Sequence, residues 1–153
     1  MTGHGGDMNT ARRAAMAVLN AAPGPELARL WDDAAIAVEA EPLRGPETGL
    51  VTVRGRIGGG GAPFNVGEVT VTRATVRLSS GEIGHGYALG RDGSKVRLVA
   101  IIDALLQRAR EAADVETHIL APLRATQMAE ETRRRAQTAA TKVDFFTMVR
   151  GED

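Results

Sequence analysis

The sequence contains no cysteine, which excludes disulfides, thiolate nucleophiles, iron–sulfur ligation and cysteine-type zinc sites within this chain. Aromatic residues make up only 3% of the chain, so the core is expected to consist mainly of Val, Leu, Ile and Ala. No apolar run approaches the roughly 18 residues that a membrane helix needs. The polar start Met1–Asp7 does not resemble a signal peptide. These absences predict a cytoplasmic protein without a membrane partner.

Charge of either sign is not in excess, because 19 Lys and Arg residues balance 19 Asp and Glu residues. A nucleic-acid-binding protein normally carries a basic excess, so nucleic acid is not expected as a partner. The 153 residues are 43% hydrophobic, which is typical of a single globular domain over 1–153. Within that domain, residues 1–8 are predicted to be a flexible N-terminus and residues 144–153 an apolar C-terminal tail.

Helical patterns are present at both ends of the chain. Asn9 can cap a first helix, and Pro25 suits the first turn of a second, shorter helix. In the second half, apolar residues at helical spacing predict a core-facing helix over 98–109. A linker through His118 should follow, and Pro122 is expected to begin the last helix.

Between the helices the apolar period changes to two, which is typical of strands. The predicted strands are 35–41, 50–57, 68–78 and 82–89, with a loop over Pro42–Gly49 between the first two. Short connections favour antiparallel pairing. The predicted fold is therefore α+β, a four-stranded mainly antiparallel sheet with helices at both ends of the chain, in the order αα-ββββ-αα.

The third predicted strand changes phase along its length. Val69 and Val71 point to one face, whereas Ala74, Val76 and Leu78 point to the other. Strict alternation cannot bury both sets on one side of a sheet. A bulge near Thr72-Arg73 would restore the phase, and coverage of both faces at different points is the alternative.

Arginines on the predicted strands are candidates for anion binding. Arg73 and Arg77 could share one surface of the sheet with Arg54 and Arg56. The planar guanidinium donates paired hydrogen bonds to phosphate or carboxylate, so Arg73 and Arg77 are assigned as residues that bind substrate phosphate or a partner. An ordinary solvated strand face is the competing interpretation.

No metal site is predicted from the three histidines, because His4, His85 and His118 do not pair at ligand spacing. His85 lies on a strand face opposite a smooth strip of glycine and alanine and joins the candidate binding residues, with a half-buried structural histidine as the favoured alternative. The four-glycine run Gly58–Gly61 lacks the Gly-Lys-Ser/Thr ending and the helix of a phosphate loop, so a flexible hairpin loop is expected there.

The C-terminal tail is unusually apolar for a solvated segment. It contains Phe145, Phe146 and Met148 directly after a polar helix. These three residues are predicted to be assembly residues that anchor in a partner, with packing on the chain's own core as the alternative.

Several segments resemble the G subunit of bacterial carbon–phosphorus lyase, the PhnG family, from about residue 47 to the end of the chain. The tail motif Asp144–Gly151 is the most specific of them. The other matching stretches, in family order, are Glu47–Val51, Gly67–Thr70, Thr72–Ala74, Val76–Leu78, Gly90–Asp92, Ile102–Leu105 and Ala121–Leu123. The resemblance adds Arg91, in the Gly90–Asp92 stretch, to the candidates for phosphate or partner binding.

The resemblance implies a subunit of a multi-subunit transferase that is not catalytic alone. In that family the G, H and I subunits, helped by the L subunit, displace adenine from ATP with an alkylphosphonate. The product is ribose 1-alkylphosphonate 5-triphosphate, and the J subunit later breaks the carbon–phosphorus bond. The expected partners are therefore the H, I and J subunits, with L during activation. ATP is then a substrate of the complex, this chain binds no cofactor, and no catalytic residue is assigned.

Two other function classes compete with this interpretation. A free-standing nucleotide-acting or phosphate-binding enzyme would use Arg73, Arg77 and His85. A nucleic-acid-binding module is disfavoured by the neutral charge and the few aromatic residues.

Overall fold

The computed structural model describes residues 4–56 and 61–140, with side chains from residue 10 onward. The three strands form one antiparallel sheet in the order β1-β2-β3. They are β1 (Ala40–Gly55), β2 (Phe64–Leu78) and β3 (Ile83–Leu89). The helices are α1 (His4–Ala21), α2 (Gly24–Ala34), α3 (Gly93–Leu105), α4 (Ala109–Val115) and α5 (Ala121–Ala140), and a π-helical segment (Glu116–Leu120) connects α4 to α5.

The α+β class and the antiparallel pairing are as expected, but the prediction of four strands is wrong. Of the first predicted strand, 35–41, only Ala40 and Glu41 form strand, and they begin the long strand β1. This strand continues through the expected loop Pro42–Gly49 into the second predicted strand. Proline lacks an N–H, and β1 tolerates Pro42 because a strand at the edge of a sheet has one side that needs no ladder bonds. Two register shifts, between Pro42 and Arg44 and between Arg44 and Glu47, absorb the irregular residues.

These register shifts on β1 also bear on the change of phase predicted along the third strand, which is β2 in the structure. Pairing of β2 with β3 is regular from Val71↔Leu89 to Arg77↔Ile83, so β2 has no bulge at Thr72-Arg73 against that neighbour. The irregularity lies on the other neighbour, β1, where Gly45 adopts a φ of +66° that glycine permits readily. Both faces of β2 contribute buried residues, since Val71 is buried on one face and Thr72 on the other.

The helical arrangement after the sheet also differs from the expected pair of helices. The helix predicted over 98–109 ends at Leu105, and α4 begins at Ala109. The expected linker through His118 is helical, because the π-helical segment continues directly into α5. Pro122 therefore does not begin a separate helix; it lies one residue beyond the π-helical segment, where the Ala121 N–H donates to the Glu116 carbonyl five residues back.

The core lies between α3 and one face of the sheet, with α1 and α2 completing it. Alternate β2 residues Ala74, Val76 and Leu78 are buried on this face. The glycine strip of β3 allows the α3 backbone to approach closely, because a Cβ at Gly84 would lie 1.9 Å from the Ala100 carbonyl oxygen. Among the described residues, no helix combines the length and apolarity needed to cross a bilayer.

Candidate functional site on the open face of the sheet

The sheet face turned away from α3, here called the open face, carries most of the candidate residues. Strand pairing places side chains on it in cross-strand rows. The rows of its polar half are Glu41–Arg77–Ile83, Arg44–Thr75–His85 and Glu47–Arg73–Tyr87. Its apolar half comprises Val51, Val53, Val69, Val71 and Leu89. The structure thus brings Arg73, Arg77 and His85 into three neighbouring rows.

Arg77 lies at one end of the polar half and is ion-paired with Glu41. Its Nε donates to Glu41 Oε1 at 2.8 Å, and both side chains are exposed. A shallow cleft of about 440 Å³ adjoins the pair and is lined by both residues together with Ser79 and Gly81. The Arg77 guanidinium therefore already has a carboxylate partner within the chain.

Arg73 shares a second carboxylate, that of Glu47, with Arg44. Arg73 Nη2 lies 3.1 Å from Glu47 Oε2, and Arg44 Nε lies 3.1 Å from the same oxygen. The hydrogen bond from Arg44, followed by those from Arg73 and the charges of both arginines, lowers the pKa of the Glu47 carboxyl. Glu47 therefore stays ionised and holds two guanidinium groups side by side.

His85 occupies the row between those of Arg73 and Arg77. Its Nδ1 lies 3.2 Å from the Thr75 hydroxyl on the exposed face. Its backbone N–H donates to Asp103 Oδ2 of α3 at 2.8 Å. His85 is thus an exposed side chain on a strand residue whose backbone is held by a helix carboxylate.

Arg91 lies away from this group, in the turn between β3 and α3. The next residue, Asp92, caps α3 by accepting a hydrogen bond from the Lys95 backbone N–H at 2.8 Å. Arg91 is exposed and forms no ion pair with any residue that the structure describes. The sequence-predicted set therefore divides into three residues on the open face and one outside it.

Asp103 is the polar residue that sequence reasoning missed. It is 1% exposed, and its carboxylate accepts two hydrogen bonds from Arg12 of α1 besides that of the His85 backbone. One feature of the sequence could have identified it. Asp103 is a lone carboxylate within the apolar stripe of α3, and a buried charge requires a partner. Arg12 also borders a cleft of about 800 Å³ between α1 and the α4–α5 region, with Glu116 and Arg124 on its far side.

Other predicted features lie outside the described residues or form no cluster within them. Phe145, Phe146 and Met148 lie outside the described residues, as does most of the Gly58–Gly61 run. Across residues 10–56 and 61–140, no three His, Asp or Glu side chains are grouped in a way that could hold a metal ion.

The fold and the open face define a class: a small α+β protein with a helix-covered sheet face and a largely exposed one. The model of the family described as "Phosphonate metabolism protein PhnG" matches residues 10–151. The chain is also 56% identical, over 142 residues, to the Rhizobium meliloti (strain 1021) protein "Alpha-D-ribose 1-methylphosphonate 5-triphosphate synthase subunit PhnG". That alignment covers 93% of this chain and 90% of the relative. This chain belongs to the PhnG family of phosphonate metabolism proteins.

Proposed function

We propose that this chain is a subunit of an alpha-D-ribose 1-methylphosphonate 5-triphosphate synthase. The observation that carries the proposal is the 56% identity to a subunit of that name, over nearly the full length of both chains. The complex displaces adenine from ATP with an alkylphosphonate, and ATP is a substrate of the complex rather than a cofactor of this chain. The chain works in the cytoplasm with the H, I and J subunits, and with L during activation.

The polar half of the open face is assigned to partner binding rather than to substrate phosphate. Three arginines there, Arg44, Arg73 and Arg77, are matched by Glu41 and Glu47, so the excess positive charge is small. A triphosphate carries several negative charges and would need more unpaired cations than these. Exposed ion pairs stabilise by only about 0.2–1 kcal/mol. A carboxylate of a partner could therefore join or replace them at little cost.

His85 and Arg91 extend this assignment. His85 lies between the arginine rows and presents an exposed ring to a docked partner. Arg91 would contact the same partner from the turn at the end of β3, or a second one. The apolar tail residues Phe145, Phe146 and Met148 are proposed as a further anchor to the complex.

The double variant Arg73→Ala/Arg77→Ala tests the assignment in cells that depend on methylphosphonate and in purified complex. We expect the other subunits to co-purify poorly with it, whereas the isolated variant melts as the wild type does. A matched control is Arg29→Ala/Arg135→Ala, because both arginines are exposed and ion-paired on helices far from the open face. This control should leave assembly and growth unchanged.

The outcomes separate the competing interpretations. Normal assembly with lost synthase activity would favour substrate-phosphate binding by Arg73 and Arg77. Normal assembly and normal growth would mean that the polar half is only a solvated surface. A wild-type chain that does not co-purify with the other subunits, and that transforms nucleotides alone, would overturn the synthase-subunit proposal.

A further inference from the structure

A buried hydroxyl on β2 is bonded to the turn that carries Arg91. Thr72 is 0% exposed and lies on the same face of β2 as the core residue Ala74. Its Oγ1 donates to the Gly90 carbonyl at 2.7 Å and lies 2.9 Å from Thr48 Oγ1 on β1. A hydroxyl has one hydrogen, so Thr48 is the donor to Thr72. Two strands thereby supply a chain of hydrogen bonds that ends on the turn between β3 and α3.

The presence of threonine at this buried position calls for a reason. Valine would fill much the same space without a hydroxyl, whose burial costs free energy unless it is hydrogen-bonded. Gly90 is exposed, so we expect water to replace the hydroxyl at its carbonyl when Thr72 is substituted. The hydrogen bond from Thr72 is therefore better explained by the path that it imposes on the chain at Gly90 than by a need to satisfy that carbonyl.

The backbone is held on both sides of Arg91. Gly90 donates its N–H to the Thr70 carbonyl at 2.9 Å and has a φ of +92°, which glycine adopts readily. On the other side, the Asp92 side chain caps α3. It also packs against the start of α2, so closely that a Cβ on Gly24 would clash with its carboxylate. Arg91 is therefore an exposed side chain between two fixed neighbours.

The charge of Arg91 lies where the fold does not stabilise it. Arg91 directly precedes the N-cap residue of α3, and the partial positive charge of a helix N-terminus disfavours a cation nearby. Its guanidinium forms no ion pair with any residue that the structure describes. A contribution to stability therefore does not explain this arginine, whereas a contact with a carboxylate of a docked protein does.

We propose that Thr72 is a positioning residue for the partner contact made by Arg91. The Thr72 hydroxyl, oriented by Thr48, fixes the carbonyl of Gly90. The turn held in this way directs the Arg91 guanidinium toward a carboxylate of another synthase subunit. A turn that is already ordered raises affinity, because its ordering is not a cost of binding. This inference rests on the proposed function, in which Arg91 contacts a partner, and adds a residue that does not touch the partner itself.

Two substitutions of Thr72 test the role of its hydroxyl. Thr72→Val removes the hydroxyl and keeps the branched shape, whereas Thr72→Ser keeps the hydroxyl. Titration of labelled chain into a complex of the other synthase subunits measures binding. We expect binding to be about tenfold weaker for Arg91→Ala, at least about threefold weaker for Thr72→Val, and within about twofold of the wild type for Thr72→Ser. Combined with Arg91→Ala, Thr72→Val should have no further effect, because Thr72 acts through Arg91.

Two further variants support this test. Thr126→Val is the matched control, because the Thr126 hydroxyl on α5 also donates to a backbone carbonyl, at an exposed site. It should bind as the wild type does. Thr48→Val changes an exposed residue and removes only the donor to Thr72, so it should weaken binding in the same direction but less. The test therefore does not depend on the folding of Thr72→Val.

Three results would overturn the inference. Equal binding of the wild type, Thr72→Val and Thr48→Val would show that the hydroxyls do not position the contact. Losses from Thr72→Val and Arg91→Ala that add fully in the double variant would show that Thr72 acts on the fold and not through Arg91. Normal binding by Arg91→Ala with lost synthase activity would assign Arg91 to substrate phosphate. All three leave the synthase-subunit proposal intact, whereas a wild-type chain that does not bind would refute that proposal and this inference with it.

Discussion

Arg12 and Asp103, 91 residues apart in sequence, form a two-pronged ion pair in which Arg12 Nε and Nη2 each donate to a carboxylate oxygen at 2.6 Å. The Asp103 side chain is 1% exposed and accepts a third hydrogen bond from the His85 backbone. One carboxylate thereby connects α1, α3 and β3. The hydrogen bonds to Asp103 raise the pKa of Arg12, so the guanidinium keeps its positive charge beside this carboxylate.

The first prediction is that Arg12→Met destabilises the fold. The substitution removes two of the three donors to a buried carboxylate, and a lost hydrogen bond to a charged group costs about 1.5–3 kcal/mol. Urea unfolding should show a lower midpoint with an unchanged slope. Arg13→Met is the control, because Arg13 is an exposed neighbour on the same helix. Equal midpoints for the two variants would mean that water satisfies Asp103 without Arg12.

The second prediction concerns the contact between α3 and β3. In Gly84→Ala the new Cβ would lie 1.9 Å from the Ala100 carbonyl oxygen and 2.6 Å from the Ala104 backbone nitrogen. The helix must move away from the sheet, and such overpacking costs about 1–3 kcal/mol. A Cβ at Gly67, also in a strand, has nothing within 4 Å. Thermal melting should therefore show a drop of several degrees for Gly84→Ala and little change for Gly67→Ala, and similar melting of both would contradict the close packing.

The local patterns predict the order and the type of most elements, because apolar periodicity records which face of each element is buried. The merged strand β1 was missed since Pro42 and Gly45-Pro46 are turn residues by composition, and only the position of a strand in the sheet decides whether they are tolerated. That position depends on the pairing of β1 with β2, which is a long-range property. The Arg12–Asp103 pair likewise cannot be predicted from local sequence patterns, because its two residues are 91 positions apart.

The candidate site was predictable in part. The sequence suggested that Arg73 and Arg77 could share one surface of the sheet with Arg54 and Arg56. The structure places Arg73 and Arg77 on one exposed face, whereas Arg54 lies on the opposite face of the sheet. Their carboxylate partners could not be predicted, because Glu41 and Glu47 meet them only through the shifted register of β1. Arg91 was a candidate through resemblance alone, and nothing in its spacing shows that it lies apart from the other three.

The third prediction is an acid dependence of stability that depends on Glu47. The hydrogen bonds and charges of Arg44 and Arg73 lower the pKa of Glu47 below its ordinary value of 4.5. A carboxyl whose pKa is depressed by folding contributes stability above its unfolded pKa and loses that contribution as the pH falls through the folded pKa. Unfolding at a series of pH values from 7 down to 3 should give a shallower acid loss for Glu47→Gln than for the wild type. Parallel curves would mean that the ion pairs of Glu47 are absent in solution.

The last prediction is that truncation after Val143 separates folding from assembly. The segment removed contains Phe145, Phe146 and Met148, which are apolar and follow a polar helix in the sequence. The described residues already form a continuous core from Ala15 to Leu123, so the truncated chain should remain folded and melt cooperatively. Full burial of one large apolar side chain in a partner stabilises by about 1.5–3 kcal/mol, which corresponds to a tenfold or larger loss of affinity on removal.

Binding of the truncated chain to the complex of the other synthase subunits measures that loss, with Phe145→Ser/Phe146→Ser in the full-length chain as the matched variant. If the two phenylalanines carry the anchor, this variant and the truncation should weaken binding to a similar extent. A truncated chain that aggregates or melts without cooperativity would show instead that the tail packs on the chain's own core, and the double serine variant would then lower the melting temperature. A tail that anchors in a partner predicts weaker binding with unchanged melting, whereas a tail that packs on the chain's own core predicts a loss of stability. Melting and binding measured on the same proteins therefore distinguish the two interpretations.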